Sequence, residues 1–151
     1  MVRRALSSGA GLATLRAMVE RQGGDPTVID DPSRLPKARA ITLVRSSQTG
    51  FITRMDAGLV GRASMYLGAG RHRSDDVIDP AVGVRLLKKP GDEVTVGDAV
   101  MELHHNQDAE VPDAVALAQQ SLVVGATPPP AGPLILGWVH ANGESTDVTA
   151  S

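Results

Sequence analysis

Four groups of side chains in this 151-residue sequence carry types and spacings that can do chemistry. Gly68-Ala69-Gly70-Arg71 joins a backbone open to close approach with a guanidinium. A phosphate cradle needs such a cation beside consecutive backbone N–H groups at the start of a helix. This loop instead follows an expected helix, so it reads as a tight helix-to-loop turn with Arg71 in a structural contact. Asp75, Asp76 and Asp79 can bind a cation or act as a carboxylate pair, yet a bend rich in Asp and Pro commonly satisfies those carboxylates with its own backbone. Arg71, Asp75 and Asp76 are the cleft candidates. His104-His105-Asn106 offers two imidazoles, but neighbours on a strand point to opposite faces and cannot chelate one ion while extended. That run reads as a strand end. Lys88-Lys89 reads as a solvated strand edge, which discourages edge-to-edge pairing. No catalytic residue, substrate-binding residue, metal site or cofactor is expected from these groups.

Composition narrows the classes of function. A net charge of −2 with both signs interspersed leaves no basic footprint for a polyphosphate, and Phe51, Tyr66 and Trp138 are too few for a stacking platform. Nucleic acid is not an expected partner. The absence of cysteine removes disulfides and thiol nucleophiles, which fits a reducing compartment, and a cytoplasmic location is expected. Residues 1–6 are basic but lack the apolar run of a signal peptide, and no stretch approaches the ~18 apolar residues of a membrane span. A chain of this length suits one core, built here from Val, Leu, Ile, Met and Ala.

The elements that must position these groups are marked by periodicity and by Gly and Pro. Leu12, Leu15, Met18 and Val19 form one stripe of an amphipathic helix that Ser8 is placed to cap and that ends at Gly23-Gly24-Asp25-Pro26. Residues 2–6 look like the last turns of another helix, which implies an upstream segment. Pro32 and Pro36 favour an extended connector. Residues 40–45 and 50–55 read as strands around a polar turn, with Ile41 and Leu43 opposite Thr42 and Val44. Asp56 can cap a helix over 57–67, closed by Gly68, and a further helix is expected over 108–120 with Val111, Val115, Leu117 and Ala118 inward. Residues 83–89 and 93–105 read as strands joined by a Pro90-Gly91-Asp92 turn, with Gly97 at a second reversal. After the spacer Pro128-Pro129-Pro130 a strand is expected over 134–140, and from Asn142 the chain reads as a frayed tail.

A weak internal repeat, with Gly50 leading to Gly61 and Gly83 to Gly97, points to two related units covering one another in a small barrel-like sandwich. Residues 83–103 resemble the hammerhead strand-turn-strand of biotinyl and lipoyl carrier domains. The carriers have a lysine at the tip after this series, where this chain has Glu102-Leu103-His104-His105-Asn106.

The chain as a whole resembles the C-terminal part of the thymidine phosphorylase and pyrimidine-nucleoside phosphorylase family. The match rests on Gln22-Gly23-Gly24-Asp25, Asp31 to Pro36, Gly61, Leu67-Gly68-Ala69-Gly70-Arg71, Asp76 to Gly83, Lys88-Lys89, Gly91-Asp92 and Gly97. The resemblance implies an α+β, hammerhead-like C-terminal domain over residues 40–141, preceded by the helical end of another lobe (1–25) and a connector (26–39), and followed by a tail (142–151). Gly23, Gly24, Gly68, Gly70, Gly91 and Gly97 would be its structural turns. It further implies a homodimeric parent that cleaves a pyrimidine nucleoside with phosphate, with the remainder of the phosphorylase as this chain's partner. The family's phosphate loop and base-binding residues lie upstream of this region, so the chain alone is expected to be inactive. A stand-alone binding module that reuses the fold is the alternative.

Overall fold

In the computed structural model, described here over residues 2–71, 74–132, 135, 137–141, 143 and 145–147, the chain is α+β. Among the described residues there are four α-helices: α1 Val2–Ser7, α2 Ala10–Arg21, α3 Ala57–Ser64 and α4 Val111–Gln120. Its strands are β1 Ala40–Arg45, β2 Gly50–Met55, β3 Gly83–Leu86, β4 Glu93–Val94, β5 Ala99–His105, β6 Leu122–Gly125, β7 Gly137–Val139 and β8 Ser145–Asp147. Two antiparallel sheets of order β1-β5-β3 and β4-β2-β6 carry the core, and β7 pairs with β8 alone.

The expected strand-turn-strand over 83–105 is not a hairpin. β3 pairs with β5, whereas β4 pairs with β2 in the other sheet, so the Pro90-Gly91-Asp92 turn carries the chain between sheets. Nor do residues 83–89 stay extended past Leu86, or residues 93–105 form one strand: a turn over 95–98 divides them, with Gly97 at φ 92° and Asp98 accepting from Thr95 N at 2.8 Å. Each turn instead docks on the first half of the chain, one on β2 at Ile52 and the other at Ser46 just beyond β1. Gly91 N donates to Ile52 O at 2.8 Å and Ile52 N to Asp92 O at 2.9 Å, while Gly97 N donates to Ser46 O and Ser46 N to Asp98 O, both at 2.9 Å. These exchanged bonds satisfy backbone groups that a turn would otherwise leave unpaired.

The core follows from alternation on these strands. Thr42 and Val44 face inward on β1 and Ile41 and Leu43 outward, as their spacing predicts. Central β5 buries Val100, Met101, Leu103 and His105, which share one core with Val44 of the neighbouring β1 and with Ile52 and Val94 of the other sheet. Two helices close one side, and Ala63 on α3 meets Ala114 and Ala118 on α4, all fully buried. Such small side chains favour a short interaxial distance. Ala114 was not in the expected inner stripe; Val111, Val115 and Leu117 flank it, partly buried. Strand β6, which no turn or alternation signal marks, pairs with β2 to complete the second sheet.

Several helix boundaries differ from the sequence expectation for local reasons. Gly9 in the left-handed region, not Ser8, occupies the α2 N-cap. Asp56 caps α3 as expected, accepting from Leu59 N at 3.0 Å. Helix α3 then stops at Ser64, and a wider π-type turn over Met65–Ala69 buries Leu67 and leaves through Gly68 at φ 99°. Helix α4 begins at Val111 because Asp108 is engaged elsewhere and Pro112 occupies a first-turn position. The connector coils into 3-10 turns at Pro26–Ile29 and Pro32–Arg34, since Asp25 and Asp31 cap the backbone N–H groups of Thr27 and Ser33. At the C-terminal end, Leu134, Leu136 and Asn142 of the expected strand and tail lie outside the described residues, but β8 forms inside the segment read as frayed.

Candidate functional site

The Gly68–Arg71 segment leaves the π-type turn and borders a cleft of about 250 Å³ whose wall includes Tyr66, Gly68, Gly70, Asp76, Gln107 and Glu110. No helix start faces it from this segment: α3 precedes the loop, as its order in the sequence predicts. The cleft is lined by two acidic side chains, Asp76 and Glu110, and by no cation among the described residues. That electrostatic lining opposes an anion such as phosphate. Arg71 is exposed and is not part of the wall, nor is Asp75; His72 lies outside the described residues.

The acidic bend is closed on its own backbone at Asp79. Its carboxylate accepts from Ala81 N at 2.9 Å and from Asn106 Nδ2 at 2.6 Å, and its N–H donates to Gly68 O at 3.0 Å. The Ala81 N–H, followed by the Asn106 amide, holds the Asp79 carboxyl below the usual carboxylate range. Asp79 thereby pins the Gly68 turn to the end of β5.

The two adjacent histidines face opposite ways, as strand geometry requires. His104 Nε2 meets Glu102 Oε2 at 3.1 Å on the outer face, where Arg85 Nη1 also reaches that oxygen at 3.3 Å. The His104 contact, with Arg85 second, lowers the Glu102 pKa. His105 is 5% exposed on the inner face, with Nε2 3.0 Å from Thr42 Oγ1. Its Nδ1 stands 3.3 Å from Asp108 Oδ1, close enough for an ion pair but off a hydrogen-bonding direction. Asp108 in turn accepts a forked pair from Arg39 Nη2 at 2.8 and 2.9 Å, and that contact is the main cause of its lowered pKa.

Arg39, Thr42 and Asp108 were not singled out in the sequence. Asp108 lies three residues from His105, a local signal, but Arg39 lies 69 residues away and nothing in the sequence pairs them. The order carboxylate, imidazole, hydroxyl is that of a proton relay, yet it ties β1 to the segment after β5 with a buried imidazole and an inward threonine. It works as a clamp.

Lys88 and Lys89 lie beyond the end of β3. Lys88 Nζ donates to Glu93 O at 3.2 Å, while Lys89 borders an apolar groove of about 500 Å³ with Met55, Val60, Val84 and Leu86. The Glu102 to His105 run lies within β5, so it does not occupy a turn tip of the kind that presents the carriers' lysine. Among the described residues, no three His, Cys, Asp or Glu side chains converge to hold a metal, and no helix is long and apolar enough to cross a membrane.

Comparison with known proteins decides the family. Residues 51–125, which span β2 to β6, match the family model described as the pyrimidine nucleoside phosphorylase C-terminal domain. The chain belongs to that family as its C-terminal part. It is 37% identical over 135 residues to a pyrimidine-nucleoside phosphorylase of Geobacillus stearothermophilus, covering 89% of this chain and 31% of the relative. A pyrimidine-nucleoside phosphorylase of Staphylococcus aureus (strain USA300) is 40% identical over 120 residues, 80% of this chain and 28% of that protein. The chain thus spans under a third of the length of these relatives. In this C-terminal domain of the pyrimidine-nucleoside phosphorylase family, the Gly91 and Gly97 turns dock the second half of the domain on the first.

Proposed function

We propose that this chain serves as the C-terminal scaffold of a pyrimidine-nucleoside phosphorylase and has no turnover by itself. The parent would split a pyrimidine nucleoside with phosphate into free base and a pentose 1-phosphate, as a cytoplasmic homodimer. In this reading residues 1–25 end the preceding lobe, 26–39 connect, 40–141 form a hammerhead-like barrel sandwich and 142–151 a tail. The observation that carries it is the family match over residues 51–125, in a chain covering under a third of its relatives.

Site chemistry agrees with a scaffold. Phosphorolysis needs a bound phosphate aligned with the anomeric carbon and groups that stabilise charge on the departing base. Among the described residues, the cleft beside Gly68 and Gly70 is lined by the carboxylates of Asp76 and Glu110 without a cation, and the apolar groove has one cation, Lys89, on its wall.

The test is the absorbance change on base release from thymidine and uridine, with and without phosphate, at high protein concentration. The 151-residue chain is expected to give none, and a chain extended upstream by the remainder of the enzyme to give phosphate-dependent release. Turnover by the short chain would overturn the reading and make Arg71, His72, Asp75 and Asp76 the catalytic candidates.

A further inference from the structure

The groove of about 500 Å³ bordered by α3 and β3 has an amphipathic lining. From β3 come Val84 and Leu86, which share a face at a two-residue spacing, and Leu86 remains 40% exposed. From α3 come the small Ala57, Gly61 and Ser64, which leave open the room that larger side chains would take. Val60 and Met55 add apolar surface, and a thioether adapts to irregular shapes. These residues and Lys89 all fall within 51–125, so the matched domain builds the groove without anything from upstream. Its volume lies in the range of small-molecule sites, ~300–1,000 Å³.

The two adjacent lysines differ in what they hold. Lys88 Nζ donates to Glu93 O at 3.2 Å, whereas the Lys89 ammonium has no hydrogen bond or ion pair among the described residues. The backbone beneath Lys89 is fixed, because Asp92 Oδ2 accepts from Lys89 N at 2.7 Å and Gly91 N donates to Ile52 O at 2.8 Å. Lys89 is the single charged side chain on the groove wall among the described residues. The first turn of α3 is already capped by Asp56, whose carboxylate accepts from Leu59 N at 3.0 Å. One positive charge beside an apolar wall complements one negative charge on an apolar body. A phosphate ester would bring a second charge that no side chain of this wall compensates, and the wall has no aromatic ring on which a base could stack.

We propose that this groove binds a free straight-chain monocarboxylate of medium length, with the alkyl chain along Val60, Val84 and Leu86 and the carboxylate on Lys89 Nζ. The binding is noncovalent, and it stands or falls independently of the proposed function because the matched domain alone forms the site.

The probes are sodium octanoate, sodium decanoate and 1-octanol, each kept below micelle formation or phase separation, titrated into the 151-residue chain and followed by amide chemical shifts. Decanoate is expected to bind saturably with a Kd of about 1 mM or tighter and to move amides of residues 55–64 and 84–89. Its two added methylenes should make it about three- to tenfold tighter than octanoate. Lys89→Gln is expected to weaken both carboxylates about two- to fivefold, the scale of an exposed ion pair, and to leave 1-octanol unchanged. Lys88→Gln should change none of the three. A Cβ at Gly61 meets nothing within 4 Å, so the side chain of Gly61→Leu can enter the groove without displacing protein atoms. That variant should bind decanoate at least about tenfold more weakly, without a lower melting temperature.

The site is overturned by the absence of a saturable shift, by shifts spread beyond the groove, or by a folded Gly61→Leu protein that binds decanoate as before. An equal loss for 1-octanol and the carboxylates in Lys89→Gln, or no loss for either, overturns the carboxylate as the ligand class. If Gly61→Leu does not fold, Lys89→Gln at its exposed position decides alone.

Discussion

Replacing Gly50 with alanine separates two costs that glycine avoids, backbone strain and steric overlap. Gly50 opens β2 at φ 151°, and a Cβ built there would lie 2.4 Å from Gly125 O and 3.1 Å from Val124 Cγ1. The near atom is backbone of the partner strand β6, so it cannot rotate away as a side-chain end can. Gly91 is the control: φ is 98°, but a Cβ there meets nothing within 4 Å. Gly91→Ala should therefore cost only backbone strain, about 1–3 kcal/mol. Gly50→Ala should cost similar strain plus a forced shift of β6, about 1–3 kcal/mol more. For a chain of this size each kcal/mol lowers the melting temperature by about 2–4 °C. Thermal unfolding followed by circular dichroism would then show Gly91→Ala melting roughly 2–12 °C lower and Gly50→Ala roughly 4–24 °C lower, against a total stability of about 5–15 kcal/mol. A Gly50→Ala protein that melts at or above Gly91→Ala would refute the steric argument and the close pairing of β2 with β6.

Three further outcomes are expected. Asp56→Ala removes the acceptor for Leu59 N and should cost about 0.5–2 kcal/mol in urea unfolding; an unchanged midpoint would mean that the cap does not hold α3. Met101→Ala, at a fully buried position on β5, should cost about 2–5 kcal/mol, and a loss near zero would show that the inner face of β5 is not the core. Asp79 has a folded pKa below its ordinary value, so its contribution to stability is present above the unfolded pKa of about 3.9 and is lost as pH falls through the lower folded value. Asp79→Asn should therefore show a smaller drop in melting temperature between about pH 5 and pH 2.5 than the unsubstituted protein, and parallel pH profiles would remove Asp79 as the pin of the Gly68 turn.

By itself, the sequence determined features whose cause is local. Strands β1 and β2 are legible because alternation and the intervening polar turn act within a few residues, and Asp56 is legible as a cap because it bonds three residues ahead. Gly91 and Gly97 are legible as reversals because their positive φ excludes ordinary side chains. The opposite facing of His104 and His105 follows from the two-residue period of a strand.

Tertiary structure alone decided which strands pair and which polar groups meet. The expected hairpin over 83–105 divides between two sheets because its turns find partners at Ile52 and Ser46, far away in sequence. Strand β6 has only four residues, too few to show a period, and it exists because β2 offers an edge. Likewise His105 is held by Thr42 and, through Asp108, by Arg39, because β1 lies beside β5. Capping, turn strain and alternation act within a few residues, whereas strand pairing and buried polar contacts are selected by burial and hydrogen-bond satisfaction across the whole chain.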